Sequence, residues 1–178
     1  MSADLLFGPE LYEEVVRKNL LRAEGRVWIA TANLKDLHVP RGRGFEPILR
    51  VFNGMAGEGV RFRIIHSDIP SGPFRDTLEG LPDLLSGGLE LQVCPRSHWK
   101  MAIVDGSFAY VGSANFTGAG LGARKPSRRN FELGVVTRER EWIGRLERLF
   151  DTFWMGDFCG ECAFRDRCPD PIDPSGEH

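Results

Sequence analysis

The apolar and polar positions of the chain alternate between two periods, and their order predicts strands separated by helices. Leu11, Val15, Val16 and Leu20 recur at helical spacing, with Glu13, Glu14, Arg17 and Lys18 on the polar side. They predict a helix over 9–24, with Pro9 in its first turn and Gly25 just past its end. Residues 27–32 are a β-prone run, the expected first core strand. Residues 34–44 hold His38, Pro40, Arg41, Gly42, Arg43 and Gly44 and predict a solvated loop. A helix over 45–56 and a strand over 60–65 follow. Next come a turn-rich stretch with a short helix over 74–85 and a strand over 89–93. Residues 101–104 form a continuous apolar run, Asp105-Gly106 is a two-residue hairpin turn signal, and 107–111 is the return strand. After a loop at 118–129, a strand is expected over 131–136 and a helix over 139–155. Trp142, Ile143, Leu146, Leu149, Phe150, Phe153 and Trp154 mark the face on which that helix docks. Strands alternating with helices place the chain in the α/β class, a mixed sheet sandwiched between helices.

The size suits a single core: 178 residues, 42% hydrophobic and 27% charged, with a net charge of −2. Affinity for a polyanion must therefore come from local patches. No apolar run is long enough to span a bilayer, and the first residues lack the basic and apolar regions of a secretory signal, so the expected location is the cytoplasm. In that compartment the four cysteines are expected as free, redox-active or metal-binding thiols rather than disulfides.

The polar residues around the hairpin change the picture from fold to chemistry. His98 and Lys100 stand two apart, so an extended backbone sends both side chains to one face. The hairpin then brings Ser113 and Asn115 back beside them. A nucleophile or base, a fixed cation and two neutral hydrogen-bonding groups suit a phosphate diester.

The spacing His98-x-Lys100-x4-Asp105-x6-Gly112-Ser113-x-Asn115 resembles the HKD signature of the phospholipase D superfamily, and Asn130-x-Glu132 resembles that family's Asn-x-Glu segment. The resemblance implies a phospholipase D-like sheet with the signature at strand ends. It makes His98, Lys100, Ser113, Asn115 and Glu132 the catalytic set, Glu132 being the expected partner of the second ring nitrogen of His98. Asp105 supplies the third letter of the signature and joins the candidate set, although its place in the turn favours a structural part. His66-Ser67-Asp68 lacks the rest of the pattern and is not a second copy. Family members use two such sets, so a single set implies a homodimer that joins two His98 residues at one site. One His98 would attack phosphorus to form a phosphohistidine and the other would protonate the leaving oxygen, with no metal required for that step.

Arg124, Lys125, Arg128 and Arg129 precede Asn130 and are the candidate contacts to a nucleic-acid backbone. That loop, the missing secretion signal and the similarity to the superfamily's small dimeric nucleases favour cleavage of DNA or RNA. A lipid phosphodiesterase and a non-catalytic nucleic-acid-binding module are the alternatives.

A second cluster lies at the C-terminus, Cys159-x2-Cys162-x5-Cys168, with Cys94 far upstream. Three thiols so spaced point to metal ligation. The array resembles the iron–sulfur staple of RecB-type nucleases. That similarity implies a [4Fe–4S] cluster on Cys94, Cys159, Cys162 and Cys168, with zinc the alternative and His178 a possible ligand to it. The expected division is a catalytic domain at 1–156 and a cysteine-bound tail at 157–178.

Overall fold

The computed structural model describes residues 3–122 and 124–172. Seven strands form the main sheet in the order β1-β9-β8-β7-β2-β5-β6. They are β1 (Ala3–Phe7), β2 (Arg26–Thr31), β5 (Arg61–His66), β6 (Leu89–Val93), β7 (Met101–Val104), β8 (Phe108–Gly112) and β9 (Leu133–Thr137). The pairs β2–β5 and β5–β6 are parallel, and β1–β9, β9–β8, β8–β7 and β7–β2 antiparallel, so the sheet is mixed as expected.

Side-chain alternation decides what each face carries. Val27 and Ile29 of β2, Ala102 and Val104 of β7, and Phe108 and Tyr110 of β8 face the larger core. There they meet α2 (Ile48–Gly57) and the N-terminal helical segment. Trp28, Ala30, Met101, Ile103 and Ala109 face the other way and are covered by Ile143 and Phe150 of α4 (Arg140–Trp154). Phe150 stacks on Trp28 with ring centroids 5.0 Å apart. Leu149 and Trp142 remain substantially exposed, so the aromatic face of α4 docks only in part.

Four expectations need correction. The N-terminal helix is broken: an α-helical turn α1 (Pro9–Leu11) continues as a wide π turn over Tyr12–Arg17, and a 3-10 turn follows at Leu20–Arg22. The expected loop at 34–44 instead holds part of a two-stranded hairpin, β3 (His38–Arg41) against β4 (Gly44–Pro47), with an Arg41–Glu46 ion pair at 2.8 Å. Helix α2 accordingly starts after Pro47, whose extended backbone ends β4. The segment after α3 (Gly72–Glu79) closes separately as a π turn at Leu84–Gly88.

Two glycines let β8 and β9 close over the site. Gly112 and Gly134 are register partners, and the buried Tyr110 ring lies across both. A Cβ on Gly134 would sit 2.3 Å from Tyr110 Cε2. Since that ring is enclosed, Gly134→Val is expected to lose about 3 kcal/mol of stability, read as a lower urea midpoint with an unchanged slope.

Candidate active site

The antiparallel and parallel pairings bring the C-terminal ends of β2, β5 and β8 to the same edge as the N-terminal ends of β7 and β9. The site is built there. Trp99 anchors its first part by packing edge-on against Phe153 of α4, centroids 4.1 Å apart, on the smaller-core side. Alternation turns His98 and Lys100 away from Trp99. Lys100 Nζ lies 2.9 Å from His98 Nδ1, 3.1 Å from Nε2 and 2.9 Å from the His98 carbonyl. An ammonium only donates, so this contact suits an imidazole with a lone pair. Burial of Lys100 pushes its ammonium below the usual lysine range, and the carboxylate of Glu132 acts in the opposite sense.

Asn115 is held by the end of β2. Its Oδ1 accepts from the backbone N–H groups of Ala32 and Asn33, both at 3.1 Å. Only the oxygen can accept, which fixes the amide orientation and leaves the NH2 as the outward donor. The Thr31 hydroxyl reinforces the junction, accepting from Phe116 N–H at 2.9 Å and donating to the Asn33 carbonyl at 2.9 Å. This cradle was not among the sequence candidates; its signal is a Thr closing an apolar strand.

Ser113 and Glu132 meet across the start of the β8–β9 pair. Ser113 N–H donates to the Leu133 carbonyl at 3.0 Å, and its hydroxyl donates to Glu132 Oε2. Glu132 Oε1 accepts from Asn130 Nδ2 at 3.0 Å. In place of the expected Glu132–His98 bond, the carboxylate accepts from Ser113 and Asn130 while Lys100 sits against the imidazole. Tyr110 lies beneath, its hydroxyl accepting from Ala114 N–H at 3.2 Å, and burial pushes its phenol up to about 12.

Asp105 is at the other end of the hairpin. Its carboxylate accepts from the backbone N–H groups of Glu24, Gly25 and Arg26 at 2.8–2.9 Å. It fastens the hairpin turn to the start of β2 and stands apart from the other candidates. Asp105→Ala is expected to cost about 2 kcal/mol by leaving three donors without this acceptor. Thermal unfolding would show the loss, while turnover per folded molecule stays at the wild-type level.

Arg124, Lys125 and Arg128 are exposed, and Pro126–Arg128 forms a 3-10 turn. The loop folds back on the stretch after Asn115: Asn130 N–H donates to the Ala119 carbonyl at 3.2 Å, and the Arg124 guanidinium covers Gly118. Arg129 is half-buried, close enough to Tyr12 for its charge to act on that phenol. Beside the site, the sheet face beyond α4 is apolar and open. Leu5 and Phe7 of β1, Val111 of β8 and Leu133 and Val135 of β9 are register neighbours exposed by 41–71%, and Phe131 by 94%.

Cys94, Cys159, Cys162 and Cys168 line a common cavity, although no three His, Cys, Asp or Glu side chains among the described residues are placed to hold a metal ion. His178 lies outside the described residues. Among the described residues no helix is long and apolar enough to cross a membrane.

Comparison with known proteins places this geometry. The family described as cardiolipin synthase, PLD-like domain, matches residues 16–154. The fold is similar to NucT from Helicobacter pylori, with a TM-score of 0.60 at 17% identity, covering 85% of this chain and 94% of that one. It is similar to Nuc from Salmonella typhimurium, a phospholipase D family member, with a TM-score of 0.59 at 17% identity, covering 97% and 99%. Phosphatidylserine synthase from Haemophilus influenzae Rd KW20 gives a TM-score of 0.57 at 18% identity, covering 83% of this chain but 37% of that one. No curated protein matches the sequence.

Proposed function

The chain belongs to the cardiolipin synthase, PLD-like domain family, and on that premise we propose that it is a metal-independent phosphodiesterase, an endonuclease acting on DNA or RNA as a homodimer. The observation that carries this reading is the contact of Lys100 with the imidazole of His98, at the end of the sheet to which the β7–β8 hairpin also returns Ser113 and Asn115. In the reaction, a ring nitrogen of His98 attacks phosphorus as the bond to the leaving oxygen breaks. The imidazolium of the partner subunit's His98 gives that oxygen its proton. Water then displaces the phosphohistidine, and the same partner group takes the proton back, so charge and protons balance. Lys100 and the NH2 of Asn115 face the equatorial oxygens and stabilise their charge.

Two observations support the second copy. The site has a single His-x-Lys set, and the apolar face of Leu5, Phe7, Val111, Phe131, Leu133 and Val135 is open beside it. A self-complementary contact over that face covers apolar surface that isolated chains rarely leave bare. Nucleic acid is favoured by the exposed Arg124, Lys125 and Arg128, which flank the site with charges suited to a polyphosphate backbone. The fold match also covers 94% of NucT and 99% of Nuc, against 37% of the phosphatidylserine synthase.

The test is cleavage of end-labelled single-stranded DNA and RNA in excess EDTA, beside release of head groups from anionic phospholipid vesicles. Nucleic-acid cleavage by a species of twice the chain mass is expected. Head-group release without nucleic-acid cleavage overturns the nuclease assignment in favour of lipid hydrolysis, and tight binding without turnover of either reduces the protein to a binding module.

A further inference from the structure

All four cysteines of the chain line a single cavity of about 630 Å³. Cys94 comes from the turn after β6, and Cys159, Cys162 and Cys168 from the segment beyond α4. No disulfide links them. The wall is completed by two cations, Arg96 and Arg165, and by Phe153, Phe158 and Phe164. Arg96 Nη1 approaches Cys162 Sγ at 3.5 Å. Positive groups and aromatic walls around four half-buried thiols suit an anionic, thiolate-ligated centre.

Among the described residues the tail carries little regular structure of its own. Its described regular structure is a 3-10 turn at Arg165–Arg167. Its polar ties to the body include Asp170 Oδ2, which accepts from Val93 N–H at 3.0 Å, and Phe158 packs on Phe153 at 4.7 Å between centroids. Such a segment gains stability mainly from a cross-link that closes its loop.

The size of the cavity favours a larger group over a single ion. A tetrahedral thiolate ion draws its ligands to about 2.3 Å from one point. Here the four cysteines line a volume of about 630 Å³, room for a group larger than one ion. Thiolate-only donor sets of this kind select zinc or iron–sulfur centres, and four cysteines ligate a [4Fe–4S] cluster.

We propose that Cys94, Cys159, Cys162 and Cys168 bind a [4Fe–4S] cluster that fastens the tail to the turn leading into the active site. That turn is short: Cys94 N–H donates to the His66 carbonyl at 2.8 Å, Ser97 N–H donates to the Cys94 carbonyl at 2.9 Å, and His98 follows. The cluster is a positioning group outside the phosphodiester chemistry, so the proposal stands whichever substrate the site accepts.

The deciding experiment is anaerobic purification of the full chain, reconstitution with ferrous iron and sulfide, and assay of metal and acid-labile sulfide. The expected result is about four irons and about four sulfides per chain, with tail cleavage by trypsin accelerated once the cluster is removed. Cys168→Ala and Cys94→Ala are each expected to lower bound iron at least threefold. Zinc without sulfide, or no bound metal after reconstitution, overturns the proposal. Full iron retention by a folded Cys94→Ala overturns the assignment of the upstream ligand. Where a variant does not fold, the wild-type stoichiometry decides.

Discussion

His98→Asn is expected to abolish phosphodiester cleavage in EDTA, with a loss of roughly 10⁴-fold or more. The side chain is exposed and its described polar partner is Lys100, so the replacement removes the attacking nitrogen without emptying the core. Far-UV spectra and unfolding midpoints should stay near wild type. The same variant separates a shared site from two independent ones. When wild-type and His98→Asn chains exchange subunits at equal concentration, a site needing both copies leaves about a quarter of the activity per dimer, whereas independent sites leave about half. Measured activity near half would sink the shared-site mechanism while leaving His98 as nucleophile.

Asn115 combines two roles that substitutions can part. Its oxygen accepts from two backbone N–H groups at the end of β2, and its NH2 is the outward donor. Asn115→Ala leaves those donors without an acceptor and is expected to cost about 2–3 kcal/mol, lowering both melting temperature and turnover. Asn115→Asp keeps an accepting oxygen, so the fold should be retained, but sets a negative oxygen where the NH2 faced the phosphate. Its turnover should fall by roughly 10³-fold with little change in melting temperature. Equal activity of Asn115→Asp and wild type would remove Asn115 from the charge-stabilising set.

The centre of the sheet was legible because local signals there agree with tertiary ones. The run 101–104, the Asp105-Gly106 turn and the return strand carry strong periodicity, and their pairing is local. That hairpin also returns Ser113 and Asn115 to the end of the sheet from which His98 and Lys100 enter. Other parts were hidden for physical reasons. Strand β1 exists through pairing with β9, at the other end of the chain. The β3–β4 hairpin is written in Pro, Gly and Arg, residues that also mark open loops. Glu132 met Ser113 rather than His98 because strand register, not spacing along the chain, chooses its neighbour. The same applies to Tyr110: its ring fills the space above Gly112 and Gly134, and only the register reveals that the two glycines face each other.

The pairing of β1 with β9 also has a consequence for synthesis. Ala3 pairs with Thr137, so the first strand made waits for the last strand of the sheet. At about 5–20 residues per second on a ribosome, the delay is on the order of ten seconds. During it Leu5 and Phe7 have no strand beside them, and β1 is a bare hydrogen-bonding edge open to neighbouring nascent chains. Until β9 is made, that edge is the expected point at which one nascent chain would pair with another.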